Sequence, residues 1–115
     1  MTAAIIANLE KMLGGPRDGA MLRYSLGNEL LKAGEAAAAA QRFREALEKD
    51  AHYSAAWKLL GKALTEAGDP TGALTAYEQG IAVAEKRGDV QAAKEMNVFA
   101  RRLQKALLSE QEKNA

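Results

Sequence analysis

The sequence contains no cysteine, which excludes a disulfide framework and any thiolate zinc site. Proline occurs only at positions 16 and 70, and no segment has the biased composition of a disordered linker. The longest apolar run near the N-terminus, residues 3–7, is too short to span a bilayer and follows no basic segment. We therefore expect one compact domain of 115 residues with its own core, located in the cytoplasm.

The charged residues show no excess of either sign and no arrangement for catalysis. Sixteen basic and fifteen acidic residues leave a net charge of +1, which gives no electrostatic reason to bind nucleic acid or an anionic membrane. The single histidine, His52, has neither a cysteine nor a second histidine with which to hold a metal. No nucleophile–base pair is recognisable by its spacing. The sequence predicts no enzyme, no cofactor and no metal site.

What the chain does contain is a pattern that repeats after 34 residues. The same residue types return in the same order, with Leu26, Gly27, Leu30, Ala39 and Phe43 followed by Leu60, Gly61, Leu64, Ala73 and Tyr77. A fixed period of this length indicates a stacked repeat, in which each unit completes its core against its neighbours. Such architectures usually bind other molecules rather than catalyse reactions.

Apolar residues at helical spacing predict helices throughout the chain and no strand. Ser54 is the predicted N-cap of one helix, while Gly68, Asp69 and Pro70 are suited to end one helix and begin the next. After Gly88 the repeat pattern fails, although one apolar stripe continues. The predicted segments are an N-terminal helix over 3–13, repeats over 20–53 and 54–87, a capping helix over 89–108 and a flexible tail over 109–115.

The fold predicted from these segments is all-α. It is a right-handed stack of two antiparallel helical hairpins, with the N-terminal helix and the capping helix on either side of it. The capping helix is expected to cover the end of the stack with one apolar stripe while it turns charged residues outward.

Two segments resemble the tetratricopeptide repeat family: WKLLGKALTEAGDPTGALTAYEQG from Trp57, and a weaker copy, RYSLGNELLKAGEAAAAAQRFREA, from Arg23. In that family a bulky residue, a Leu-Gly pair, an alanine, an aromatic and a second small residue recur in a 34-residue helical hairpin. Arg23 departs from the pattern, since the family usually has a bulky aromatic there. The resemblance covers about residues 20–87 and implies a non-catalytic adaptor that binds a protein or peptide partner.

The resemblance also implies a groove, lined by the first helix of each hairpin, where family members usually bind extended or helical peptides. Lys58 and Lys62 in this groove favour an acidic or carboxylate-bearing peptide. The alternative interpretation is that the two lysines form an ordinary solvated helix face. The carboxylate clamp known in the family is matched only at Asn28, since Tyr24 stands where a lysine is expected and Leu59 where a second asparagine is expected. The predicted groove residues are Tyr24, Asn28, Leu31, Lys58, Lys62 and Thr65.

The N-terminal helix suggests an alternative function. Ile5, Ile6, Leu9 and Met12 form more apolar surface than one neighbouring helix can cover. A contiguous exposed apolar patch favours a homodimer or another docking contact, so the chain could be a self-assembling structural subunit. The sequence leaves open whether this helix caps the stack or fills the groove.

Overall fold

The computed structural model describes residues 2–114, and these residues form six helices without a strand. Helices α2 and α3 form the first antiparallel hairpin, α4 and α5 form the second, and α6 packs mainly against α5. This arrangement confirms the predicted all-α stack. The helices are α1 (Thr2–Glu10), α2 (Ala20–Lys32), α3 (Ala36–Lys49), α4 (Ser54–Glu66), α5 (Pro70–Lys86) and α6 (Val90–Asn114).

The repeated glycines and aromatics form the contact inside each hairpin. Phe43 is fully buried against Gly27, and Tyr77 lies in the same way against Gly61. A Cβ atom added at Gly27 would lie 2.7 Å from the ring of Phe43, and one added at Gly61 would lie 2.6 Å from the ring of Tyr77. The two helices of each hairpin can approach this closely only because the first one carries glycine there.

The turn between α4 and α5 has the predicted construction. Gly68 follows the end of α4 with φ at +83°, in the left-handed region that favours glycine. The carboxylate of Asp69 accepts a hydrogen bond from the backbone N–H of Gly72 at 2.9 Å, and Pro70 is the first residue of α5. Ser54 was expected to cap α4 and does not. The N-cap is Tyr53, without a side-chain hydrogen bond, and Ser54 is already helical.

Both terminal helices differ in length from the sequence prediction. Helix α1 ends at Glu10 rather than at residue 13, and Met12 continues in a tight turn, donating its N–H to the carbonyl of Leu9 at 3.0 Å. The tighter turns after Glu10 lead to Gly14, whose φ of +78° ends the segment. Helix α6 extends to Asn114, so the predicted flexible tail is helical over 109–114 because it lacks glycine and proline, while residue 115 lies outside the described residues.

Arg23, which departs from the family pattern, forms ion pairs in place of aromatic packing. Its guanidinium contacts Asp18 at 2.6 Å and Glu45 at 2.7 Å, and Arg42 also contacts Glu45 at 2.9 Å. The hydrogen bonds from Arg23 hold the pKa of Asp18 well below its usual range. Burial raises the pKa of Glu45, but hydrogen bonds from Arg42, Arg23 and Gln41 outweigh burial and lower it overall. The network ties the start of α2 to α3.

This network predicts a pH-dependent contribution of Asp18 to stability. Asp18→Asn is expected to lower the melting temperature at pH 7, because the hydrogen bonds in the folded state stabilise the ionised carboxylate more than the unfolded chain does. The difference from the wild type should be constant above the ordinary aspartate pKa of about 4 and should shrink as the pH falls below it. Thermal melts between pH 7 and pH 2 measure it. Glu110→Gln on the exposed part of α6 is the control, and an equal pH trend in that variant would contradict the prediction.

Candidate functional site

A cleft of about 730 Å³ opens between α4 and α6, with α5 at its base. Its apolar surface comes from Leu59, Leu103 and two stacked aromatic rings, those of Tyr77 and Phe99, whose centroids lie 5.5 Å apart. Burial raises the pKa of Tyr77 to about 12, so its hydroxyl stays neutral near neutral pH. The complete lining consists of Lys58, Leu59, Lys62, Thr65, Glu66, Tyr77, Phe99, Arg102 and Leu103.

The structure brings together only the groove residues predicted on α4. Lys58, Lys62 and Thr65 all line the cleft. Thr65 is held in place by its hydroxyl, which donates a hydrogen bond to the carbonyl of Gly61 at 2.8 Å. The predicted residues therefore do not form one continuous row along both hairpins.

The groove residues predicted on α2 lie outside the cleft. Leu31 is buried in the hydrophobic core, so its side chain is not available on a surface. Tyr24 is half-buried and stacks on Tyr53 at 4.8 Å, and Asn28 is half-buried on the same helix. The sequence could not show that the core extends to Leu31, since its position on the helix favours neither face strongly.

One of the two predicted ammonium groups is already paired within the chain. The ammonium of Lys58 donates to a carboxylate oxygen of Glu95 on α6, and the other oxygen of Glu95 accepts from Gln91 at 3.2 Å. These contacts lower the pKa of Glu95. Among residues 2–114, Lys62 and Arg102 form no ion pair. They are the cations that the cleft can offer to a ligand.

Phe99 and Arg102 are site residues that the sequence reasoning missed. Phe99 is 37% exposed, and the guanidinium of Arg102 lies 5.7 Å from the centroid of its ring. A signal for Phe99 was present, since the same 34-residue shift that leads from Leu31 to Thr65 leads on to Phe99. The other repeat residues stop matching after Gly88, so the sequence places Phe99 in the apolar stripe of the capping helix rather than in the groove.

Outside the cleft, the polar residues of the described part of the chain form no metal-binding cluster. His52 is exposed in the turn between α3 and α4. Over residues 2–114, no three histidine, cysteine, aspartate or glutamate side chains gather closely enough to hold a metal ion. In the same part of the chain, no helix has the length and apolar character that crossing a membrane requires. The cleft between α4 and α6 is therefore the site to be explained.

Known proteins share this fold over most of the chain. The model of the tetratricopeptide repeat family matches residues 24–90. A TPR repeat-containing protein of Pseudomonas aeruginosa is 52% identical over 102 residues, which cover 89% of this chain and 97% of that protein. The solution structure of a protein from Bordetella parapertussis is 42% identical, covers 94% of each chain and superposes with a TM-score of 0.80. The crystal structure of a tetratricopeptide repeat domain protein from Salinibacter ruber is 29% identical, covers 76% of this chain and 97% of that one, and has a TM-score of 0.69.

Fold and cleft together define a helical-repeat protein, a class whose members present a concave surface made by successive helices. The chain belongs to the tetratricopeptide repeat family. Proteins of this family generally mediate protein–protein interactions and are generally non-catalytic. The resemblance drawn from the sequence is confirmed, including both segments that carried it.

Proposed function

We propose that the chain is a non-catalytic adaptor that binds a short segment of a partner protein in the cleft between α4 and α6. The observation that carries this proposal is the exposed aromatic surface of Phe99, which lines the cleft and stacks on Tyr77. A partly exposed aromatic ring in a concave apolar site is typical of positions that anchor a partner side chain.

The charges around the cleft favour an acidic segment, but not through both predicted lysines. Lys58 is paired with Glu95, so Lys62 and Arg102 are the groups that contact the carboxylates of the ligand. Glu66 also lines the cleft and opposes a segment with closely spaced acidic residues. The ligand that fits is a segment with one large apolar side chain for the cleft and an acidic residue beside it.

A peptide-display selection against the wild-type protein, followed by affinity measurement on the peptides recovered, tests this proposal. Phe99→Glu is expected to lower the affinity for a recovered peptide at least about tenfold, because it places a charge in the apolar contact. Lys62→Glu should weaken it by about threefold to tenfold, with a larger effect at low salt.

Val98→Glu is the matched control. Val98 precedes Phe99 on α6, is 48% exposed and lies outside the cleft lining, so the same new charge should leave the affinity unchanged. Recovery of no peptide, or an equal loss of affinity in the Val98 and Phe99 variants, would refute binding in the cleft. Recovered peptides that lack acidic residues would refute only the proposed charge preference.

A further inference from the structure

Helix α1 carries apolar residues at the same repeat positions as the second helix of each hairpin. Shifted by 34 residues, the stripe of α1 and its following turn falls on the stripe of α3, and a second shift reaches α5. The three sets are Ile5, Ile6, Leu9, Met12 and Leu13, then Ala39, Ala40, Phe43, Ala46 and Leu47, then Ala73, Leu74, Tyr77, Gly80 and Ile81. By register, α1 therefore corresponds to the second helix of a hairpin.

The burial of this stripe differs sharply between α1 and α3. All five positions are buried in α3, whereas none is buried in α1 or in the turn that follows it. Ile5 is 42% exposed, while its counterpart Ala39 is fully buried. The stripe of α1 is larger than that of α3 and is nevertheless left partly open.

Within residues 2–114, α1 lacks the contact that the two helices of a hairpin make with each other. Helix α3 contacts both α2, the first helix of its own hairpin, and α4, the first helix of the next one. Helix α1 contacts only α2 among residues 2–114, and α2 is by register the first helix of the next hairpin. At the position of Leu9, α3 and α5 place Phe43 and Tyr77 against a glycine of their own hairpin partner. Leu9 meets no such partner in the described part of the chain.

We propose that the exposed side of α1 docks a helix of a partner protein, which lies against α1 as the first helix lies against the second in the other two hairpins. The partner helix runs antiparallel to α1, has an apolar stripe and carries a glycine or alanine where it crosses Leu9. This chemistry follows from the hairpin contacts already in the stack, which continue onto α1 through the same register. The segment over 2–9 carries no charged side chain, so the contact is apolar. This surface is separate from the cleft between α4 and α6.

A second copy of this chain is a poorer occupant than a partner helix. In a head-to-tail assembly of two copies, α6 of one copy would pack on α1 of the other. At the register positions of Leu60, Gly61 and Leu64, helix α6 carries Lys94, Glu95 and Val98. Two of these three side chains are charged, and Glu95 replaces the glycine that the hairpin contact requires. Two α1 helices facing each other would likewise lack a glycine, because their stripes are made of large side chains.

The test uses α4, the first helix of the second hairpin, as the probe. A synthetic peptide of residues 54–68, which contains Leu60, Gly61 and Leu64, is titrated into the isotope-labelled full chain and followed by NMR. We expect saturable shift changes at Ile5, Leu9 and their neighbours, and at least a tenfold loss of affinity for the Ile5→Glu protein. The same peptide with Gly61→Leu should bind at least tenfold more weakly. Val98→Glu is the control protein and should bind as the wild type does.

Each outcome decides the proposal. Circular dichroism first establishes that the Ile5→Glu protein is folded, as the exposure of Ile5 predicts. If it is not folded, the Ile5→Ser protein replaces it, and the Gly61→Leu peptide tests the contact from the other side. Shift changes confined to α6, or no saturable change on α1, would overturn the proposal. A molecular mass that doubles with concentration and returns to that of the monomer in Ile5→Glu would also overturn it, in favour of a homodimer.

Discussion

Replacing Phe43 with alanine is expected to lower the unfolding free energy by about 3–5 kcal/mol. Phe43 is fully buried in the first hairpin, between Gly27 and the ring of Tyr24, whose centroid lies 5.8 Å away. Truncation removes the apolar contact and leaves a cavity that the helix backbones cannot close, because each helix is held by a second neighbour. Since small domains are stable by only about 5–15 kcal/mol, the variant should be close to unfolding at room temperature. Chemical denaturation followed by circular dichroism measures the loss.

Phe99→Ala is the control for this prediction, because it removes the same side chain from a position that is 37% exposed. Its cost should be less than half that of Phe43→Ala, and its main effect should appear in peptide binding. Equal costs for the two variants would mean that the core does not lie inside the hairpins. An unchanged slope of unfolding free energy against denaturant concentration would show that the folded state retains its extent.

Predictions that depended on the repeat alone were confirmed. Leu26, Gly27 and Phe43 could be placed on a core face from their recurrence as Leu60, Gly61 and Tyr77, because a stacked repeat puts equivalent residues in equivalent contacts. The all-α fold and the family follow from the same positions. The repeat register did not determine which residues are exposed, since a helix face that is exposed in one hairpin can be covered by the neighbouring hairpin.

The candidate cleft could be predicted only in part because it is formed by α6, where the repeat pattern breaks down. The pairing of Lys58 with Glu95 joins two helices whose relative position the sequence does not give. Glu95 occupies the register position of Gly61, but its side chain remains 37% exposed and pairs with Lys58. The break in the repeat thus explains both the charged cap and the loss of one expected ligand-binding lysine.

Gly61→Ala is expected to lower the unfolding free energy by about 2 kcal/mol, although alanine is the better helix former by about 1 kcal/mol. The reason is steric, since the added methyl would lie 2.6 Å from the ring of Tyr77, and moving that ring would disturb its stacking on Phe99. Either the ring leaves its rotamer or the two helices of the hairpin move apart, and both reduce packing along the whole contact.

A double-mutant cycle with Tyr77→Leu separates this steric effect from helix propensity. In the Tyr77→Leu background the ring is absent, so Gly61→Ala should become neutral or stabilising by up to about 1 kcal/mol. The sign of the Gly61→Ala effect therefore depends on the residue at position 77 if the close contact is what requires glycine. A loss of the same size in both backgrounds would show that glycine is needed for another reason. Because position 77 is then a leucine, as Leu9 is in α1, the Tyr77→Leu background also tests whether alanine is tolerated opposite a leucine in this contact.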